Sequence, residues 1–425
     1  MKLTKEYLNT LQPGKINKKV YFSPNQYEVF NTYKIPLKDL IFNVKNGRIN
    51  TYIWQYDNDK QNLPLGQMKD VNPDNFNQVM INFIKQSGDD NEESFNKTKN
   101  DIAKKGQITP GIVLEDGTVI DGNRRLSCLM ELFNETHDDK YAYFEACCLP
   151  SLDEKQVQII ELNANYDVDS IRPYSLIESL VQLYQLVFNP QNKFSLSKQD
   201  YIDNTGLSQK DVDKAENLIN IMLDFLQWND TAYQFSLIRK NNLIQPLTKI
   251  AEAKIDSDIW HENRDKIYNL LILKDYKLTD LTSLLHALKE NNTMLKSYSE
   301  EYDKINPDQT DEYKALNNKT NLTDNEQARK EELMHSLSGQ INKAITYGKF
   351  KQSVDSGHDN VIDLLDKILL QMHHKINKQD VVLLSENDQI TFKEKIDDFH
   401  QYLNQLLSYL NKSDEPVIKN NDKQD

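Results

Sequence analysis

Between residues 111 and 133 the spacing of apolar positions changes period. In GIVLEDGTVIDGNRRLSCLMELF the apolar runs 111–114 and 118–120 flank Asp116-Gly117, which predicts two short strands joined by a tight turn. Beyond Asp121-Gly122 apolar residues recur at Leu126, Leu129, Met130 and Phe133, so a helix is expected to open near Asn123. Upstream, YKIPLKDLI (33–41) reads as a short strand leading into a turn, FNVKNGRI is punctuated by Asn46-Gly47-Arg48, and 94–105 reads as a short helix. An Asn-rich stretch from about 55 to 92 interrupts the pattern and reads as an insertion or a loosely packed helical piece. YAYFEACCLP supplies a further strand, and the alternation of short strands and helices makes a compact unit ending near Pro150.

After Pro150 strand signals almost vanish. Two helices around a polar elbow are expected between 151 and 188, with Ile160, Leu162, Leu176, Leu180, Leu183 and Val187 available for packing. Ser197 can cap a short helix, Thr205-Gly206 makes a turn, and Ser208 can cap a second helix whose apolar face includes Val212, Ala215, Leu218 and Ile219. That is helix-turn-helix spacing over about 197–219. Residues 232–292 continue as helices, about 296–340 is highly charged, and helical periodicity returns in VIDLLDKILLQMHHKI and IDDFHQYLNQLLSYL before a polar tail expected to be disordered. Three regions are therefore expected, 1–150, 151–292 and 293–425.

Composition changes this picture modestly. With 27% charged and 38% hydrophobic residues but 12 Gly and 12 Pro in 425, long helices are the natural reading. No run of about 18 apolar residues occurs and no secretory hydrophobic segment opens the chain, so a cytoplasmic protein without membrane partners is expected. Cys128, Cys147 and Cys148 have no zinc spacing and read as buried thiols. His373-His374 lie in an apolar pattern without an acidic cluster and read as surface or packing residues. The net charge of −14 argues against coating nucleic acid with the whole surface, yet residues 1–50 hold nine Lys/Arg against three acids. That segment is either a solvated arm or a polyanion-facing one.

The charge that demands explanation is at the start of the helix after Gly122. Arg124 and Arg125 occupy a first turn where free N–H groups and the macrodipole already concentrate positive charge. Either an anion completes the site, with Gly122 permitting close backbone approach and the two guanidinium groups adding charge-assisted bonds, or Asp121 caps the helix and pairs with one arginine.

GQITPGIVLEDGTVIDGNRR resembles the core of the ParB/sulfiredoxin-like superfamily, a G-x-x-x-P, hairpin and G-x-R-R arrangement, and IPLKDLIFNVKNGRI is similar to its earlier strand and Arg-containing loop. NYDVDSIRPYSLIESL resembles the later Asn-x-x-Arg helix with its Leu-Asn-Pro continuation, and a helix-turn-helix some twenty residues beyond is the ParB order. The resemblance spans about 33–225. It implies an α+β nucleotide-binding domain of ParB/sulfiredoxin-like type followed by a mostly α-helical region, with a nucleoside triphosphate, CTP by resemblance, and Mg²⁺ as cofactors. Asp121, Gly122, Asn123, Arg124 and Arg125 would form the phosphate loop, Arg48 would approach from the first loop, and Gln107, Thr109 and Pro110 would lie near base or sugar. Asn165 falls where ParB proteins have a metal- and phosphate-binding asparagine. The acid normally before it is Ala164 and the arginine three residues after it is Val168. Glu161, one helical turn earlier, is the candidate substitute in catalysis, and binding is better supported than hydrolysis. Asn123 stands where sulfiredoxins carry their reactive cysteine.

In the second helix of the pair Gln209, Lys210, Lys214 and Asn217 could face DNA, although Asp211, Asp213 and Glu216 share that helix. The alternative there is an inherited scaffold. The expected function is nucleotide-dependent DNA binding by a homo-oligomer, in partition, regulation or mobile-element maintenance. The competing expectations are a DGQHR-like NTPase or nuclease component of DNA restriction, for which no His-Asn-His signature is evident, and a non-catalytic protein–protein adaptor.

Overall fold

The computed structural model describes residues 2–59, 62–87, 91–166, 175–273, 275–319, 321–355, 368, 381–382 and 384–412. Contacts group the chain into two units, residues 1–347 and 348–425. The fold is mixed α+β and predominantly helical.

The first unit opens with a short helix α1 (Lys5–Leu8) and a hairpin of β1 (Lys18–Ser23) and β2 (Gln26–Phe30). A five-stranded sheet follows, built from β3 (Thr32–Pro36), β4 (Ile41–Phe42), β5 (Gly111–Leu114), β6 (Thr118–Asp121) and β7 (Tyr143–Leu149) in the order β3-β7-β5-β6-β4. The β3/β7 and β5/β6 pairs are antiparallel, while β5/β7 and β4/β6 are parallel. Gly117, at φ +88°, closes the β5–β6 turn where an added Cβ would meet the Asp39 carbonyl oxygen at 2.3 Å.

Between β4 and β5 lie α2 (Asn50–Asp57), α3 (Leu65–Val71), α4 (Pro73–Gln86) and α5 (Asn91–Lys105), and β6 runs into α6 (Asn123–Thr136). The period-2 alternation of the strands sorts their side chains onto two faces. Val113, Val119, Phe144 and Ala146 face a core shared with Phe76, Met80, Phe95 and Leu126 of the helices. Ile112, Ile120, Cys147 and Leu149 face Val20 of β1 and Ile160 of α7 (Glu154–Tyr166). Two expectations need correcting. The Asn-rich stretch is helical, as one alternative has it, but not loosely packed: Phe76, Met80, Ile81 and Ile84, at i, i+4, i+5 and i+8, bury one face of α4 in the sheet core. Nor are residues 18–30 of the basic segment a solvated arm, since Val20 is 1% exposed beneath α7 and Lys19 sits over the Tyr27 ring at 3.8 Å.

Helices α8 (Leu176–Leu183), extended by a π-helical turn Tyr184–Phe188, α9 (Lys198–Thr205) and α10 (Gln209–Trp228) come next. After them α11 (Phe235–Lys240), α12 (Ile244–Ala253), α13 (Ser257–Leu273), α14 (Leu278–Glu290), α15 (Thr293–Tyr302), α16 (Pro307–Asn318) and α17 (Asp324–Asp355) form a second large core around Phe225, Tyr268, Leu284 and Tyr298. Ser197 and Ser208 each form a capping box with the acid three residues on, Asp200 and Asp211, as the sequence signals require. Gly206, at φ +70°, ends α9 and leaves a three-residue connector to α10.

In the second unit the described helix is α18 (Glu386–Lys412). Val168, His373, His374, most of VIDLLDKILLQMHHKI and the polar tail lie outside the described residues. Among the described residues no helix is long and apolar enough to cross a membrane.

Candidate functional site

The turn at the end of β6 sets the site. Gly122 is the N-cap of α6 with φ +100° and offers no side chain to cap the helix, so the first N–H groups of α6 lack a side-chain partner from the cap. A Cβ there would lie 2.7 Å from Phe144 Cζ and 2.9 Å from an Arg125 guanidinium nitrogen. Asp121 does not cap the helix. Its carboxylate accepts from Arg125 at 3.2 Å and from Lys18 of β1 at 2.9 Å, with both partners about four-fifths buried. Burial opposes ionisation of Asp121, but Arg125, Lys18 and Arg48 outweigh it and hold the carboxyl below its usual range.

The two arginines diverge because successive residues of a helix point about 100° apart. Arg125 also donates to the Thr109 carbonyl at 3.0 Å. Arg124 turns to the other side, donating to Ser94 Oγ at 3.1 Å and to the Ser87 carbonyl at 3.3 Å, between the ends of α4 and α5. Asn123 is 6% exposed and donates to the Val119 carbonyl at 2.9 Å.

A second polar chain reaches the same neighbourhood from α7. Asn165 accepts from Arg48 Nε at 3.2 Å and donates to the Glu161 carbonyl at 2.7 Å. Glu161, 5% exposed, accepts from the Gly47 amide at 2.8 Å and from Asn43 Nδ2 at 3.4 Å. Burial pushes its carboxyl up to about 7 against the Gly47 bond and the Arg48 and Asn43 side chains. Arg48 acts electrostatically on both Asp121 and Glu161, which joins the two chains into one cluster of three cations and two acids.

The structure therefore gathers Arg48, Asp121, Gly122, Arg125, Asn165 and Glu161. It sends Arg124 elsewhere and commits Gln107 to β7: the amide nitrogen donates to the Glu145 carbonyl at 2.7 Å and the oxygen accepts the Glu145 N–H at 2.8 Å, as a strand partner would. Thr109 is exposed and Pro110 buried. Sequence reasoning missed Lys18, Asn43 and Gly47. The alternation KVYFSPNQYEVF with Pro24-Asn25 at its centre was a hairpin signal that would have placed Lys18 on a strand. Cys128 is buried and its thiol is pushed up to about 12 by burial, a packing residue.

On the helix pair, Gln209, Lys210, Lys214 and Asn217 are all exposed. The acids that share the helix are engaged: Asp211 in the Ser208 cap, Glu216 with Lys198 at 2.6 Å, and Asp213 with Gln209 at 2.7 Å. Among the described residues no group of three or more His, Cys, Asp or Glu side chains is placed to hold a metal ion. In comparisons with known protein families, curated proteins and solved structures, the chain matches none.

Proposed function

We propose that the chain is a nucleotide-dependent DNA-binding protein of ParB-like type, in which residues 1–150 hold a nucleoside triphosphate and α9–α10 act as a helix-turn-helix. The observation that carries this reading is the convergence of Lys18, Arg48 and Arg125 on a left-handed glycine turn at the open N-terminus of α6. Cations grouped beside a helix N-terminus that has no side-chain cap suit a phosphate. Asp121 supplies the negative charge in the free protein, so a triphosphate competes with that carboxylate for Arg125 and Lys18. Mg²⁺ fits as a phosphate-borne ion, because a magnesium site needs only one or two protein oxygens beside the phosphates, and Asp121 and Asn165 are the oxygen donors at hand. Arg124, bonded to Ser87 and Ser94, joins the ends of α4 and α5 and is left out of the proposed ligand site.

Exposed Lys210 and Lys214 on a helix whose acids are already engaged support phosphate contact by α10, with Asn217 one further turn along the same face. Ile390, Ile396, Tyr402 and Leu407 of α18 are exposed and support self-association through that helix.

Calorimetric titration with CTP, ATP, GTP and UTP, with and without Mg²⁺, tests the reading. Binding of at least one triphosphate, weakened tenfold or more (about 1.4 kcal/mol) in Arg125→Ala and in Arg48→Ala, is expected. Arg124→Ala should lower the melting temperature and leave nucleotide affinity nearly intact. Failure of the wild-type protein to bind any of the four leaves the adaptor reading in place.

A further inference from the structure

Beyond the phosphate cluster, a cleft of about 540 Å³ opens along the N-terminal half of α7, between the loop 43–45, α2 and the end of α8. Its volume suits a small molecule. The lining is unlike that of the cation cluster. Lys45 is paired with Glu154, and the other charged lining residues are the two acids Asp57 and Glu161 and the single cation Lys193, so acids outnumber cations and an added phosphate meets no net attraction. Most of the remaining polar lining is amide, including the deeply buried Gln158 and Gln182.

Gln158 is the informative residue. It is 8% exposed, it lines the cleft, and its Oε1 has no hydrogen-bond partner. A buried carbonyl oxygen without a donor is unfavourable, so something with an N–H or O–H is expected to reach it. At the rim, the turn 189–194 is fastened by Asn189 Oδ1 accepting from the Gln191 amide and Asn192 Oδ1 from the Phe194 amide, both at 3.0 Å. It presents the Phe194 ring, 48% exposed, at the mouth. An aromatic face at the entrance with amide edges below is the combination that reads a flat ring by stacking and by its hydrogen-bonding edge.

We propose that this cleft is a second ligand site, separate from the phosphate cluster, for an uncharged planar ring with donors on its edge, of the nucleobase or nucleoside class, stacked on Phe194 and read by Gln158. The two sites touch through Glu161, which lines the cleft and holds the Gly47 amide immediately before Arg48. Occupancy of the cleft is thereby felt at the loop that carries Arg48.

The test uses the full chain and the unphosphorylated nucleosides adenosine, cytidine, guanosine and uridine, followed by ligand-observed NMR and calorimetry, with glucose as an uncharged, non-planar control. At least one nucleoside should bind. Phe194→Ala, an exposed substitution that leaves the fold intact, and Gln158→Leu should each weaken it tenfold or more, while Arg125→Ala should not change it. Absence of nucleoside binding, binding indifferent to Phe194→Ala, or equal binding of glucose overturns the proposal. A nucleoside that competes with a triphosphate and is lost in Arg125→Ala places the ring at the phosphate cluster instead; that outcome overturns the separate site and leaves the phosphate reading standing. Nucleoside binding with the expected sensitivities, together with no triphosphate binding that depends on Arg125, does the reverse.

Discussion

The start of α6 and the start of α10 pose the same problem and resolve it differently. Each helix carries two basic residues in its opening turns, Arg124 and Arg125 in one, Lys210 and Lys214 in the other. At α6 the cations are largely withdrawn from solvent and tied to oxygens, Arg125 to Asp121 and Thr109, Arg124 to Ser87 and Ser94. At α10 the lysines are exposed, and the negative end of the local charge comes from a capping acid, Asp211, bonded to Ser208. Charge taken out of water is costly unless geometry repays it, whereas solvated lysines cost little and hold no fixed geometry. The α6 cluster is therefore a preorganised, stability-linked device, and the α10 surface is a fold-neutral one free to be used for contact.

That contrast is broken most directly at Gly122. Gly122→Val must place a β-branched residue at φ +100° against Phe144 and Arg125, so a loss of about 2–4 kcal/mol of stability is expected, read as a shift in the denaturant midpoint. The equivalent change at Gly206, where the connector is open and an added Cβ meets nothing within 4 Å, should cost only the positive-φ strain, about 1–2 kcal/mol. Equal losses at the two glycines would mean that the close approach at Gly122 is not part of the device.

The next largest effect is a pH dependence confined to the buried side. Glu161 and Glu178 are both pushed up to about 7 by burial, from an ordinary 4.5; Glu178, 1% exposed, accepts from Thr51 of α2 at 2.6 Å and from Arg239 of α11 at 3.3 Å. A raised acid binds more protons folded than unfolded, so its contribution to stability is full below about 4.5, falls as pH rises, and is flat again above 7. Glu161→Gln and Glu178→Gln should each flatten the stability profile between those limits, by up to about 3 kcal/mol from a shift of this size. Asp121 has the opposite sign: its depressed pKa supports the fold above the unfolded carboxylate range and ceases to as pH falls through the folded value. Urea titrations at pH 2.5, 4.5, 6 and 7.5 separate the two, because the glutamates act between 4.5 and 7.5 and Asp121 only below its unfolded value of 3.8. A wild-type profile unchanged by either Gln variant would show that the buried carboxylates are solvated in practice.

How much of this was legible in the sequence follows from range. The opening of α6 at Asn123, the Asp116-Gly117 turn and the Ser197 and Ser208 caps are local signals, and the structure has them where the spacing predicts. The buried face of α4 was present as Phe76, Met80, Ile81 and Ile84, but asparagines between them masked the stripe. The Thr51–Glu178 bond, the Lys18–Asp121 pair and the commitment of Gln107 to Glu145 join residues far apart in the chain, and no periodicity encodes them. Arg124 and Arg125 looked equivalent as letters. Only the direction each takes from the helix distinguishes the one facing α4 and α5 from the one facing Asp121.

The smallest expected effect on the fold is at α10, and it is the sharpest test of the comparison. Lys210→Glu combined with Lys214→Glu alters two exposed side chains with no part in the core, so stability should change by no more than about 0.5 kcal/mol. If α10 contacts DNA, the same pair of changes should weaken binding and reduce the slope of log affinity against log salt by about one unit per lost phosphate contact. Adding nucleotide should restore neither. A gel-shift titration at several salt concentrations, with melts of the same samples, gives both readouts. Intact affinity with an unaltered melt would make α9–α10 a scaffold and leave DNA contact to another surface. A large drop in melting temperature would instead place Lys210 and Lys214 in the same class as Arg125, and the distinction between the two helix starts would dissolve.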